Sequence, residues 1–206
     1  DDPAQATRLH ADIAENMRKR GGPTKLLITE GAERNRTLAE VAVATKTDPI
    51  TAAIAVIRVG DPGVISFNQS EADIAAFMRQ PWVMTDSDAS PGHPRVYGSF
   101  ARKYAKYVVA DHVLTLREMI ERSSSLTADT FGLTGRGHLK AGAFADVVVF
   151  DPRRYAPRAT YQQPTELAVG VQTVVVNGIL AVDGGKLTGR AAGRALPHRP
   201  PAGSCP

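Results

Sequence analysis

Apolar residues recur at the three- and four-residue spacing of amphipathic helices through much of the chain. Asp2 before Pro3 predicts the start of a first helix, because an N-cap carboxylate followed by proline favours the first helical turn. Asp48 before Pro49 predicts another start of the same kind, and that helix is expected to stop at Gly60. The expected apolar stripes are Ala6, Leu9, Ile13 and Met17; Ile50, Ala53, Ile54 and Ile57; and Ile74, Phe77 and Met78.

Three further helix starts are predicted where a hydroxyl residue is followed, three positions later, by an acid. They are Thr37–Glu40, Ser70–Asp73 and Thr115–Glu118. In the capping box the hydroxyl and the acid satisfy each other's backbone N–H groups, which would otherwise lack partners. The aromatic residues at helical spacing that begin with Phe100 are expected to pack in a core rather than to bind a cofactor.

Short runs that favour strands alternate with these helices at residues 25–29, 64–67 and 82–85. Such alternation is typical of a parallel sheet with crossover helices. Near Gly135 the pattern changes to apolar, β-branched runs. Asn177-Gly178 lies between two of these runs and predicts a hairpin with a type I′ turn, in which both central residues need positive φ. The sequence therefore predicts an α/β part followed by a small all-β part.

Residues 81–95 combine an apolar run with charged residues in a loop of small residues and proline. The run from Trp82 to Thr85 is predicted to be a buried strand that leads to Asp86 and Asp88. An unpaired carboxylate at the buried end of a strand is costly, so these acids should face a cation, a metal or hydrogen-bond donors. The alternative is that both acids cap a turn by accepting backbone hydrogen bonds.

Composition places the 206-residue chain among ordinary globular proteins, with 43% hydrophobic and 22% charged residues. The formal net charge of +4 comes from residues 184–206, which hold four basic residues and no acid. This excess lies in a tail rich in glycine, alanine and proline, so no nucleic-acid-binding face is indicated. The tail is expected to be solvated or loosely packed, and partner binding is the alternative. Its basic residues are Lys186, Arg190, Arg194 and Arg199.

The single cysteine, Cys205, excludes an internal disulfide and a cysteine metal cluster. No apolar run approaches the roughly 20 residues that span a bilayer, so no membrane role is expected. The first residues, 1–3, are neither a methionine nor a signal sequence, so the chain is expected to begin at a processing point or to be a fragment. A cytoplasmic location is favoured, with the periplasm and secretion left open.

Seven short motifs occur in a fixed order along the chain. They are Arg36–Glu40, Asp48-Pro49, Ser70–Asp73, Met84–Ala89, His93–Phe100, Gly137–Asp146 and Val176–Gly178. Together they resemble the C-terminal portion of the D-aminoacylase group, the N-acyl-D-amino-acid deacylases of the metal-dependent amidohydrolase superfamily. The resemblance implies that residues 1–134 are the C-terminal part of a (β/α)₈ TIM-type barrel with an insertion near the N-terminus. Residues 135–206 would then supply strands of a small β-sandwich companion domain and the basic tail.

The same resemblance implies metal-dependent hydrolysis of the amide bond of N-acyl-D-amino acids. Asp88 matches the family acid at the end of the last barrel strand, which accepts a proton from metal-bound water and returns it to the leaving nitrogen. Asp88 is also a candidate metal ligand. Asp86 stands where the family usually has a small residue and is therefore a second claimant to the acid–base role.

Two further residues match substrate-binding positions of the family. Arg95 corresponds to the arginine that binds the substrate carboxylate, which a planar guanidinium can hold through two parallel hydrogen bonds. The alternative is that Arg95 pairs with a neighbouring acid. Gln69 stands where relatives often place methionine against the substrate side chain, so a polar or small side chain is expected to be preferred. His93 is expected to order the loop.

The resemblance also implies one or two divalent ions, with zinc expected. The family's His-x-His pair is missing, and the histidines show no ligand spacing; they are His10, His93, His112, His138 and His198. The metal is therefore expected to be bound mainly by residues outside this chain. An N-terminal portion or subunit of the same enzyme is the expected partner, beside a small-molecule substrate, because half a barrel exposes strand edges. A higher oligomer is left open.

Two alternatives stay open at this point. One is a cyclic amidase of the dihydroorotase or hydantoinase type, against which the Arg95 loop favours the deacylase. The other is a non-catalytic interaction subunit or fragment that keeps the fold without the metal-binding half. Metal ligands on a chain that co-purifies would separate an enzyme from a silent subunit.

Overall fold

The computed structural model describes residues 3–90 and 92–197, and these form two compact units. The first unit comprises Asp1–Asp73, Ala89–Val96 and Thr160–Thr165, and the second comprises Ile74–Asp88, Tyr97–Ala159 and Glu166–Pro206. The boundary expected near residue 134 remains a prediction. The predicted N-cap Asp2, together with His198, Arg199 and Cys205, lies outside the described residues.

The first unit is a mixed α/β arrangement with short strands. Its elements are α1 (Pro3–Lys19), a 3₁₀ turn (Pro23–Lys25), β1 (Leu26–Ile28), α2 (Leu38–Thr45), α3 (Pro49–Val59) and β2 (Val64–Ser66), and α4 (Glu71–Met78) begins in it. The capping box of α2 is confirmed: Thr37 Oγ1 accepts from the Glu40 N–H at 3.2 Å, and Glu40 Oε2 accepts from the Thr37 N–H at 2.6 Å. Asp48 caps α3 as predicted, accepting from Ile50 and Thr51.

The core of the first unit is formed by α1, β1, α2 and α3. It consists of Met17, Leu26, Ile28, Leu38, Val41, Ala42 and Ala52. Four residues of the predicted apolar stripes are exposed rather than buried: Ala6, Leu9 (52%) and Ile57 (59%) in this unit, and Phe77 (66%) in the second unit. Only the last turns of α1 pack on this core, and α3, at eleven residues, is longer than the eight-residue α2 on which it packs.

The strands β1 and β2 pair antiparallel, with Leu27 opposite Ile65. The expectation of a parallel sheet is wrong for this pair, and the connection explains why. A single crossover helix returns the chain to the starting end of the first strand, whereas the helix pair α2–α3 returns it to the end where β1 finishes. The Thr29 N–H donates to the Gly63 carbonyl at 2.9 Å and closes this connection.

The second unit holds the end of α4 and four further helical segments. They are α5 (Arg95–Arg102), which begins in the first unit, a π-helix (Lys103–Ala110), α6 (Leu116–Ser123) and α7 (Ser125–Thr130). The predicted capping box at Thr115 and Glu118 is present. Tyr104 and Tyr107 are buried as predicted, whereas Phe100 is 41% exposed. The Tyr104 hydroxyl donates to the Pro152 carbonyl at 2.9 Å, and its ring packs near Phe150 and Tyr155.

The prediction of a buried strand at residues 82–85 is wrong in this structure. These residues form a turn followed by extended chain without a strand partner among the described residues, and Trp82 is 65% exposed. A barrel strand obtains its hydrogen bonds from a neighbouring strand on each side. An apolar run therefore cannot be read as a strand from its own residues alone.

The second unit ends in a four-stranded antiparallel sheet in the order β3-β4-β5-β6. The strands are β3 (Val147–Phe150), β4 (Val171–Val176), β5 (Ile179–Asp183) and β6 (Lys186–Leu187). The hairpin between β4 and β5 is confirmed, with φ of 48° at Asn177 and 78° at Gly178. Among the described residues no helix has both the length and the apolar character needed to cross a bilayer.

Two motifs far apart in the sequence meet at this hairpin. Asp146 Oδ1 accepts from the Asn177 N–H at 2.7 Å, and Arg136 bonds to Asp146 and, at 2.6 Å, to Asn177 Oδ1. The Asn177 N–H, followed by Arg136, holds the pKa of Asp146 below its usual range. Asn177 Nδ2 donates to the Ala192 carbonyl at 2.7 Å, so this part of the basic tail is tied to the sheet.

Candidate active-site segment

Thr85, at the end of the apolar run, is held by two helices of the second unit. Its N–H donates to the Arg122 carbonyl at 3.0 Å, and its Oγ1 lies 2.8 Å from Ser123 Oγ, both at the end of α6. Lys103 Nζ, from the π-helix, donates to the same Thr85 Oγ1 at 2.5 Å. Backbone and side chain of Thr85 are therefore both fixed just before the two aspartates.

Lys103 and Arg122 are buried cations beneath this segment, only 5% and 7% exposed. Burial, with a smaller contribution from the Arg122 charge, lowers the pKa of Lys103 to about 8. Arg122 donates to the Met78 carbonyl at the end of α4 and lies 3.6 Å from a Glu118 carboxylate oxygen. Two positive charges are thus kept out of solvent next to the residues that precede Asp86 and Asp88.

The two aspartates differ in their backbone conformation. Asp86 is exposed, and its Oδ1 accepts from the N–H of Ser87 at 2.7 Å, a local contact of the kind expected for a turn-capping acid. Asp88 is also exposed and has a φ of 44°, in the left-handed region. Aspartate tolerates this region better than most residues, and unusual backbone conformations occur often at functional sites. No sequence pattern predicted this conformation.

The loop that carries Arg95 belongs to the first unit and is ordered by its own polar groups. Arg95 Nη2 donates to Ser90 Oγ at 2.7 Å, and the Arg95 N–H donates to His93 Nδ1 at 3.0 Å. Because Nδ1 is the acceptor, a neutral His93 carries its proton on Nε2. His93 therefore orders the loop as expected.

Gly92 brings this loop close to the end of β1. Its φ is 75°, and a Cβ atom at this position would lie 3.2 Å from Thr29 Cβ and 3.3 Å from Thr29 Oγ1. Thr29 is buried, and its hydroxyl donates to the Gly63 carbonyl at 2.9 Å. A side chain at residue 92 would press on this bond, so glycine allows the Arg95 loop to pack against the β1–β2 pair.

Tyr161 links the two predicted substrate-binding loops within the first unit. Its ring packs edge-on against Phe67, with centroids 4.9 Å apart, and against His93, with centroids 5.5 Å apart. Phe67 lies two residues before Gln69, which is exposed in the loop after β2, and His93 lies two residues before Arg95. The structure therefore attaches the loops of Gln69 and Arg95 to one aromatic side chain.

Sequence reasoning missed Lys103, Arg122 and Tyr161. Lys103 and Arg122 lie on helices, where basic residues ordinarily face solvent, and only burial distinguishes them. Tyr161 lies in a stretch without helical or strand periodicity, so no pattern indicated where its side chain would pack.

No set of at least three His, Cys, Asp or Glu side chains that could hold a metal ion occurs within residues 3–90 and 92–197. Zinc sites with three protein ligands need convergent donors. Asp88 stands apart from any such set, so the residues described here do not by themselves fit a metal centre.

Comparison with known proteins places most of the chain in one family. The model of the amidohydrolase family matches residues 3–182. N-acyl-D-glutamate deacylase of Alcaligenes xylosoxydans xylosoxydans is 34% identical over 187 residues, which are 81% of this chain and 38% of that protein. D-aminoacylase of the same organism is 40% identical over 138 residues, 65% of this chain and 28% of that protein.

The fold agrees with a solved structure of the same group. The crystal structure of N-acyl-D-glutamate deacylase from Bordetella bronchiseptica, in complex with zinc and a phosphonate inhibitor that mimics the tetrahedral intermediate, matches with a TM-score of 0.70 and 36% identity. The match covers 76% of this chain and 34% of that one. The chain thus spans only 28–38% of the length of these relatives.

Proposed function

The chain belongs to the amidohydrolase family, and from this membership we propose that it is part of an enzyme that hydrolyses the amide bond of N-acyl-D-amino acids. The observation that carries the proposal is the similarity, over most of the chain, to proteins named N-acyl-D-glutamate deacylase and D-aminoacylase. Products would be the free D-amino acid and a carboxylate.

In this proposal Asp88 is the acid–base residue. Amide hydrolysis needs a group that takes a proton from the attacking water and delivers it to the leaving nitrogen, which is otherwise a poor leaving group. Asp88 is solvent-exposed, follows the fixed residue Thr85, and has the left-handed backbone conformation described above. Asp86 is the weaker claimant because it stands where the family usually has a small residue.

Arg95 and Gln69 would bind the substrate. The guanidinium of Arg95 would hold the substrate carboxylate and thereby fix the stereocentre relative to the scissile bond. Gln69, on a neighbouring loop attached to the same Tyr161, would contact the amino-acid side chain. A polar amide at this position favours a polar or small side chain.

The metal ion of this enzyme would be bound mainly by residues outside the described part of this chain. The Bordetella bronchiseptica relative is a zinc complex, and zinc is the ion proposed here. The described part of this chain lacks a ligand set for it, so the proposal assigns no step of the reaction to a metal held by these residues.

The elements of the chain are proposed to form the C-terminal part of a (β/α)₈ barrel and strands of a companion β-domain. In this arrangement an N-terminal portion or subunit would supply the remaining strands of the barrel. The rings of Phe77 and Trp82, 66% and 65% exposed, are large apolar groups that such a partner could cover.

The test uses the assembled enzyme that contains this chain, assayed with the N-acetyl derivatives of D-glutamate, D-aspartate and D-leucine, their L-enantiomers, and dihydroorotate. We expect hydrolysis of D-enantiomers only. The Asp88→Asn variant should lose about 10²–10⁴-fold in kcat because it lacks a proton-transfer group. Asparagine tolerates the left-handed conformation as aspartate does.

The matched control is Asp86→Asn, two residues away, for which kcat should remain near the wild-type value. If kcat falls in Asp86→Asn and stays near the wild-type value in Asp88→Asn, Asp86 is the acid–base residue. Hydrolysis of dihydroorotate with no hydrolysis of N-acetyl-D-amino acids would make the chain part of a cyclic amidase. No activity on any of these substrates would favour a non-catalytic subunit.

A further inference from the structure

Lys103 has no part in the proposed reaction, yet it lies buried at the base of the segment that carries Asp86 and Asp88. Its ammonium group donates to Thr85 Oγ1 at 2.5 Å, and Ser123 Oγ lies 2.8 Å from the same oxygen. The Thr85 side chain is therefore joined at once to the π-helix and to the end of α6.

Arg122 holds the backbone at both ends of the stretch that leads to the aspartates. Its guanidinium donates to the carbonyls of Met78 and, at 3.5 Å, of Arg79, while its own carbonyl accepts from the Thr85 N–H at 3.0 Å. Residues 79–85 thus begin and end on the same buried arginine. These hydrogen bonds restrict the backbone path of a segment that has no regular secondary structure.

Retaining a lysine at this position has a cost. Burial and the nearby Arg122 charge disfavour the protonated form of Lys103, as its lowered pKa shows. An apolar side chain of similar length would avoid this cost, and replacing buried ionic groups by apolar ones is often neutral or stabilising. Costly ionisable groups of this kind concentrate at functional sites.

From this arrangement we propose that Lys103 is a positioning residue: through Thr85 it sets the path of residues 85–88 and so places the Asp88 carboxylate for proton transfer. The inference rests on the proposed function for its catalytic consequence, but the effect of Lys103 on the segment is independent of it. A displacement of about 1 Å in a reacting group can cost on the order of 10²-fold in rate.

The experiment compares Lys103→Met, Lys103→Arg and Thr85→Val with wild type in the assembled enzyme. Hydrogen–deuterium exchange of peptides covering residues 80–88 measures how firmly the segment is held. Steady-state kinetics with N-acetyl-D-glutamate measures catalysis. We expect Lys103→Met and Thr85→Val to increase exchange of this segment and to lower kcat by about ten- to hundredfold, with KM unchanged. Lys103→Arg should recover part of the loss.

The matched control is Lys106→Met, which removes a lysine one turn further along the same π-helix. Lys106 pairs with Asp111 at 2.9 Å instead. The Lys106→Met variant should leave both the hydrogen–deuterium exchange of residues 80–88 and kcat unchanged. If Lys103→Met fails to fold, as judged by circular dichroism, the near-isosteric Thr85→Val decides the question.

Unchanged exchange at residues 80–88 in both Lys103→Met and Thr85→Val would overturn the positioning role. Increased exchange together with wild-type kcat would overturn its catalytic consequence. An inactive wild-type enzyme would instead count against the proposed function, while the exchange data would still decide whether Lys103 positions the segment.

Discussion

Arg95 is fixed by short-range polar contacts, with its side chain bonded to Ser90 and its N–H bonded to the ring of His93. This local order suits a residue that must present a planar guanidinium in one orientation. Both of these bonds join Arg95 to residues within five positions in the chain. That is why the role of His93 could be predicted from the sequence.

The Arg95→Lys variant tests the substrate-carboxylate role. Lysine keeps the positive charge but lacks the planar fork, so one of two charge-assisted hydrogen bonds is lost. Such a bond contributes about 1.5–3 kcal/mol, and KM for N-acetyl-D-glutamate should therefore rise about ten- to hundredfold. The control is Arg153→Lys, an exposed arginine in the second unit. Equal KM values for the Arg95 variant and wild type would contradict the role.

Lys103 predicts an unusual dependence of stability on pH. The unfolded chain holds this proton up to the ordinary pKa of 10.5, whereas the folded chain releases it near pH 8. Between these values the unfolded state binds more protons, so the contribution of Lys103 to stability rises with pH over this window. The Tm of wild type minus that of Lys103→Met should thus increase from pH 7.5 to pH 9.5. A constant difference would contradict the lowered pKa.

Single residues also mark the limit of prediction from sequence. The burial of Lys103 depends on contacts with residues far away in the chain, such as Thr85, 18 positions earlier. A lysine in a helix gives the same local pattern whether it faces solvent or a buried threonine. The local pattern of residues 81–95 selected Asp86 and Asp88 together, whereas the choice of Asp88 and the roles of Arg95 and Gln69 came from resemblance to a family.

At the scale of elements, the predictions that held were those with a local physical cause. The caps at Thr37, Asp48 and Thr115 and the Asn177-Gly178 turn each satisfy backbone groups within three residues or require a specific φ. The prediction at residues 82–85 failed because a strand needs partners that its own residues do not specify. The antiparallel pairing of β1 with β2 likewise depends on the number of helices between them.

The Thr37→Ala variant tests the cap of α2. Loss of the Thr37 Oγ1 contacts leaves the Glu40 N–H without its side-chain acceptor and should cost about 1 kcal/mol of local stability. Amide hydrogen exchange of peptides from α2 should accordingly accelerate about fivefold. The control is Val43→Ala on the same helix, where the side chain is 79% exposed and exchange should change little. Equal exchange in both variants would show that the cap contributes nothing.

At the scale of the whole molecule, the order of the seven motifs carried more information than any one of them. The Arg136–Asp146–Asn177 contacts give an example, because Asp146 and Asn177 belong to different motifs, lie 31 residues apart and are joined by a hydrogen bond. The family could therefore be predicted from the sequence. The arrangement of the complete barrel could not, because the chain spans only 28–38% of the length of its relatives.

The assembly prediction also belongs to this scale. We expect natively purified protein to contain a second polypeptide segment with a His-x-His motif and about one zinc per assembly, because catalytic zinc needs about three convergent protein ligands. Intact mass and elemental analysis of the gel-filtration peak would measure both. A stable, metal-free monomer of this chain would contradict the prediction.

The bond between the Thr29 N–H and the Gly63 carbonyl has a consequence for the history and redesign of this protein. It places the two ends of the α2–α3 segment side by side, and the segment carries its own caps and supplies four residues of a shared core. Insertions with adjacent ends can be gained, lost or exchanged without displacing the elements that flank them. Residues 30–62 could thus be exchanged for another segment without separating β1 from β2, provided that the substitute fills the place of the four core residues.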